Sequence, residues 1–77
     1  MSRKRDLKRA IQESEEEIES LEQKRVRSQA ALMKSVLNES KPNEMDVEYF
    51  KTFSSLIDVE RANLRRLKAE LEKLKKK

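Results

Sequence analysis

The carboxylates Glu13, Glu15, Glu16 and Glu17 form the densest set of groups in this sequence able to move a proton or hold a cation. Paired acids do such work in a dry pocket that pushes their pKa values apart. The other usual actors are missing: the 77 residues include no histidine, no cysteine and no glycine. That inventory removes the base poised near neutral pH, the thiolate nucleophile, the imidazole and thiolate metal ligands, and the glycine loop that wraps a phosphate. The expectation is a protein that is not an enzyme and takes no cofactor or metal. Without cysteine there is no disulfide framework either.

The elements that could position any site are helices. One proline, no glycine and 44% charged residues describe long solvated helices and nearly exclude strands and tight turns. From Leu7 the apolar and small residues fall at Leu7, Ile11, Ser14, Ile18, Leu21, Arg25, Ser28 and Leu32, alternating steps of four and three. That spacing is the heptad seam of a coiled coil. It resumes at Phe50, Phe53, Ile57, Glu60, Leu64, Leu67, Leu71 and Leu74. Between the two runs, Pro42 disfavours helical geometry at Lys41 and cannot continue a helix itself. Asn43 is placed to cap the second run. The reading is an all-α, antiparallel two-helix coiled-coil hairpin in a single domain, with helix one over about 6–38, a turn at 39–43 and helix two over about 44–75.

Folding the seams together predicts the pairing. Leu32 meets Phe53, Ser28 meets Ile57, Leu21 meets Leu64, Ser14 meets Leu71, and Arg25 meets Glu60. The Arg25 and Glu60 pair would be a polar layer that sets register at a cost in stability. On the flanks, Glu15 falls near Lys68 and Glu22 near Arg61, each pair worth a few tenths of a kcal/mol when exposed.

Two surfaces remain for function. Near the turn there is more apolar surface than one seam uses, and Met33, Leu37, Tyr49, Phe50, Phe53 and Leu56 are the candidate partner contacts. Such a patch on a small charged helix pair is where a partner helix or a second copy docks. A homo-oligomer is therefore expected, because so short a chain gains little net stability alone. At the other end, residues 1–9 carry a net charge of +4 and residues 61–77 a net +6. A hairpin brings these ends together, so Arg3, Lys4, Arg5, Lys73 and Lys75 are candidate anion contacts for nucleic acid or an anionic surface. The acidic block at 13–22, net −6, argues against a nucleic-acid track. No apolar run approaches the roughly 20 residues that cross a bilayer. A soluble, cytoplasmic protein is expected.

The stretch from Asn43 to Ile57, with Phe50, Phe53 and Ile57 opening a Glu- and Lys-rich helix, resembles the start of the second helix in FliJ- and YscO-type proteins. These are the coiled-coil stalks of flagellar and type III secretion machines. The resemblance implies protein transport, a stalk or chaperone-like component, and a ring-shaped export ATPase as partner. Family chains are about twice as long. Arg5-Asp6-Leu7 and the run from Leu64 to Leu74 resemble the ends of HR1-type hairpins, which bind Rho-family GTPases, although the internal glycine of those hairpins is missing here. The acids Glu39, Glu44, Asp46 and Glu48 around the turn are similar to the metal-delivering tip of Gre-type transcript-cleavage factors. That tip contains glycine, and these four acids serve more simply as helix-end charges.

Overall fold

Two helices account for nearly the whole chain: α1 over Arg3–Leu37 and α2 over Glu44–Lys75, in a computed structural model that describes residues 2–76. They lie antiparallel in a rod of 59 × 16 × 15 Å. At 1.5 Å per residue each helix is about 50 Å long, so each runs almost the full length of the rod. The expected hairpin is what the chain forms.

Helix α1 begins three residues earlier than the seam suggested. Ser2 is extended and caps it: the Asp6 N–H donates to the Ser2 carbonyl at 3.1 Å, and the Arg5 N–H reaches the Ser2 hydroxyl at 3.4 Å. A serine cap satisfies backbone donors that would otherwise have only water.

The far end of α1 closes without glycine. Glu39 takes φ 54°, the Glu39 N–H donates to the Val36 carbonyl at 3.1 Å, and the Ser40 N–H donates to the Ser35 carbonyl at 2.9 Å. This is the Schellman pattern, whose left-handed residue is usually glycine. The helix therefore stops at Leu37, before Pro42 has any influence. After an extended passage, Asn43 caps α2, its side-chain oxygen accepting from the Met45 N–H at 2.8 Å.

The seam residues form the interior. Leu7, Ser14, Ile18, Leu21, Ser28, Ile57, Leu67 and Leu71 are buried, and Arg25, Leu32, Phe50, Phe53, Glu60, Leu64 and Leu74 are half-buried. The register, however, differs from the expected one. Leu7 packs in one cluster with Leu67 and Leu71, with Ile11 and Leu74 against it. The Arg3 guanidinium donates to Glu70 at 3.2 Å. Near the turn, Lys24 and Ser28 share a groove with Tyr49 and Phe53. One heptad register meets all three observations: Leu7 level with Leu71, Ile11 with Leu67, Ser14 with Leu64, Leu21 with Ile57, and Ser28 with Phe50. In the expected register Arg3 and Glu70 would stand about 18 Å apart along the axis, beyond the reach of the two side chains.

The slide of one heptad has a plain cause. A seven-residue shift returns seam residues to the seam, so the seam alone does not choose among registers. Burial does. In the observed register Leu7 is covered and only 6% exposed, while the last turn of α1 overshoots the start of α2 and leaves Leu37 77% exposed. The expected register would leave the first turns of α1 without a partner helix. Apolar burial near 25 cal/mol per Å² decides between the two arrangements.

The expected flank pairs survive the slide. Arg61 meets Glu22 at 3.2 Å, and Lys68 meets Glu15 at 3.8 Å. Helical side chains lean toward their own N-terminus. In an antiparallel pair these side chains therefore lean toward one another and span the offset. The Arg25 and Glu60 layer does not survive: no ion pair joins them within 4.0 Å among the described residues. The register sets Arg25 level with Phe53, and Glu60 level with Ile18. Both stay half-buried, with their charged heads able to reach water.

Candidate functional site

The exposed apolar surface gathers in the turn-proximal half of the rod. Val26, Met33, Val36 and Leu37 on α1, with Met45, Tyr49, Leu56 and Val59 on α2, are between 45% and 77% exposed. Of the six expected partner contacts, Met33, Leu37, Tyr49 and Leu56 lie in this surface. Phe50 and Phe53 are half-buried in the seam, and Phe53 lines a groove.

These residues do not form one tip. Val26 is one turn beyond Glu22, so it lies on the face marked by the Glu22 and Arg61 pair, and Met33 follows one heptad later. Tyr49 and Leu56 are three and two heptads before Glu70, so they share the opposite face, marked by the Arg3 and Glu70 pair. The expected single apolar tip is two stripes on opposite sides of the hairpin.

The α2 stripe has a period of its own. Met45, Tyr49, Thr52, Leu56 and Val59 step by four, three, four and three, a second heptad row beside the first. Beyond Val59 the row turns polar at Asn63, Arg66 and Glu70, where Arg66 donates to both Asn63 and Glu70. The apolar part therefore covers about 21 Å of helix at 1.5 Å per residue. The Tyr49 and Phe53 rings stack with centroids 6.1 Å apart and planes at 22°. They help to wall a shallow groove of about 260 Å³ with Lys24, Arg27, Ser28 and Asp46. A larger depression, about 460 Å³, lies over Glu19, Glu22, Gln23, Val26 and Arg27. All five residues belong to α1, so it has no facing wall.

The basic end is assembled as the hairpin requires. The register brings Arg3 level with Lys75, and Ser2, Lys4, Arg5 and Lys8 line a hollow of about 270 Å³ there. Arg3 is engaged with Glu70, and Lys75 with Glu72 at 3.8 Å. Lys73 is exposed. Lys77, one of the terminal lysines, lies outside the described residues, as does Met1. At the turn, no three carboxylates come together to hold a metal ion among the described residues. None of the described helices is long and apolar enough to cross a membrane.

The separation of the two stripes follows from heptad position, since Val26 and Met33 stand beside the row of Glu22 and Tyr49 and Leu56 share the row of Glu70, and the surplus of apolar residues near the turn hid it. The second heptad row was in principle legible, but at Thr52 it is polar and merges with the surplus of apolar residues around it. No family model, no curated protein and no solved structure matches this chain.

Proposed function

We propose that this chain is a non-catalytic protein-interaction module, a stiff charged hairpin that presents apolar residues near its turn to a protein partner. One observation carries the reading: the large exposed apolar side chains lie in the turn-proximal half, while the open end is covered with charge. Soluble surfaces usually scatter such residues singly, and a concentration of them marks an interaction site. A more specific form is a stalk of an export machine, supported by the Phe50, Phe53 and Ile57 spacing at the start of α2. The HR1-type, GTPase-binding alternative draws on the chain ends.

A second reading is favoured by the hollow lined by Lys4, Arg5 and Lys8, which suits contact with nucleic acid or an anionic surface. One experiment separates the two. A variant with Arg3, Lys4, Arg5, Lys73 and Lys75 changed to glutamine, and another with Val26, Met33, Leu37, Leu56 and Val59 changed to serine, are tested against displayed helical peptides, duplex DNA and anionic vesicles. The interaction reading expects peptide binding that survives the glutamine changes and disappears with the serine changes. Binding to DNA or vesicles alone, lost with the glutamine changes, overturns it.

A further inference from the structure

We infer that the α2 face carrying Met45, Tyr49, Leu56 and Val59 seats a third helix, an acidic amphipathic helix from a protein partner. The inference rests on the interaction reading above and names the face and the chemistry. A helix with two heptad rows is built to pack on two helices at once, and α1 occupies only the first row. The second row is apolar over about two heptads and faces solvent.

Charge decides what covers it. Beside the turn-ward part of the row the wall is the flank of α1 that bears Lys24, Arg27 and Lys34, all exposed, while Glu17, one heptad before Lys24 on the same flank, stands beside its far end at Val59. No carboxylate comes within 4.0 Å of any of these three among the described residues. Asp46 is the one acid lining the groove with Lys24 and Arg27. A docked helix would therefore set its apolar seam on α2 and, beside Met45 and Tyr49, meet cations on its α1 side that no carboxylate pairs within 4.0 Å. Glutamates there gain charge-assisted contacts, and lysines there are repelled. A second copy of this chain does not fit the requirement. Its acidic stretch at 13–22 has no large apolar residue exposed, since its own seam residues Ser14, Ile18 and Leu21 are already buried. Stacked bases are a poorer match, because the Tyr49 ring already stacks on Phe53 and no other residue of the row is aromatic.

The test uses the full chain and two synthetic peptides of about three heptads. Both carry a leucine seam; one has glutamate flanks and the other lysine flanks. Fluorescence anisotropy measures affinity, and amide chemical-shift mapping locates the contact. The expected result is a preference of about tenfold or more for the glutamate peptide, narrowing at about 1 M salt, with shifts centred on Tyr49, Leu56, Val59 and Lys24. L56S with V59S should abolish binding, and K24E with R27E should reverse the preference, circular dichroism showing both variants still folded. Equal affinity for the two peptides, or shifts centred on Val26 and Met33, overturns this inference and leaves the interaction reading standing. Failure of both peptides to bind anywhere counts against both. A single-stranded oligonucleotide that produces the Tyr49 and Lys24 shifts in place of the peptides overturns it in favour of nucleic acid.

Discussion

Arg3 and Glu70 meet at 3.2 Å across the open end of the hairpin, and this contact brings the first turn of α1 level with the last turns of α2. The pair itself is exposed on the arginine side and is worth a few tenths of a kcal/mol at most. Its importance is geometric. Together with the Leu7, Leu67 and Leu71 cluster it selects one register from a series separated by seven residues.

That register is open to a direct chemical test, because the chain has no native cysteine. Ser14→Cys with Leu64→Cys should form an intramolecular disulfide in a glutathione buffer and raise the melting temperature. Ser14→Cys with Leu71→Cys should not, since a heptad along the axis is about 10 Å and a disulfide needs Cα atoms within about 7 Å. Ready closure of the second pair, with none of the first, would restore the pairing that the seam alone suggested.

Arg25 and Glu60 give a second test of the same geometry. Residues that share no contact act independently, with coupling below about 0.5 kcal/mol. Each is half-buried at a seam position, so Arg25→Leu and Glu60→Leu should each raise stability by about 0.5–1 kcal/mol as apolar area is covered. The double variant should show the sum. Thermal unfolding of all four proteins measures the cycle, and a coupling above about 1 kcal/mol would mean that the two side chains form the polar layer after all.

The hairpin, its seam residues and the Asn43 cap were legible in the sequence because they depend on local spacing and on one side chain's hydrogen bonding. The flank pairs of Glu15 with Lys68 and Glu22 with Arg61 were legible too, since long side chains tolerate an axial offset. The register was not, because each seam residue has an acceptable alternative seven positions away and only the summed burial at the two ends decides. The stop at Leu37 was hidden for a different reason. Schellman closures announce themselves by glycine, and here Glu39 takes the left-handed role with nothing in its type to show it. The two apolar stripes were visible as a surplus, and their opposite faces follow from the same heptad positions that gave the flank pairs, with Val26 beside Glu22 and Tyr49 in the row of Glu70.

Glu39 carries a removable strain. A non-glycine residue at φ 54° pays roughly 1 kcal/mol for the clash of its Cβ with the backbone. Glu39→Gly should therefore stabilise the chain by about 0.5–1 kcal/mol, offset in part by the added freedom of glycine in the unfolded chain. In so small a domain that corresponds to a rise of several degrees in melting temperature. Asn38→Gly, one residue earlier at φ −89°, should give no rise. A lower melting temperature for Glu39→Gly would show that the glutamate side chain does something in the turn that outweighs its backbone cost.

Ser14 and Ser28 look alike in the seam and should behave differently. Both are buried, but the Ser28 hydroxyl donates to the Lys24 carbonyl at 3.3 Å, while the Ser14 hydroxyl, in a residue 4% exposed, has no partner among the described residues. An unpaired buried hydroxyl costs about 1–3 kcal/mol in lost hydration, and a paired one is close to neutral or mildly favourable. Ser14→Ala should therefore raise stability by about 1 kcal/mol, and Ser28→Ala should leave it unchanged or lower it by up to about 1 kcal/mol. Urea unfolding with a common m-value measures the difference. Equal responses at the two positions would mean that the Ser14 hydroxyl finds a partner in solution, the neighbouring Ala10 carbonyl one turn earlier being the nearest candidate.

Ile57 and Leu56 separate the interior from the docking face at adjacent positions. Ile57 is fully buried, level with Leu21 in the seam, while Leu56 is 45% exposed on the second row. Ile57→Ala should cost about 2–4 kcal/mol through lost transfer energy and the cavity left behind, enough to unfold a small hairpin at room temperature. Leu56→Ala should change stability by less than about 1 kcal/mol, because much of its surface is already in water. Thermal unfolding by circular dichroism distinguishes the two. If Leu56→Ala proves as destabilising as Ile57→Ala in the isolated chain, Leu56 is packed in solution against another copy, and its row is then not free to receive a partner helix.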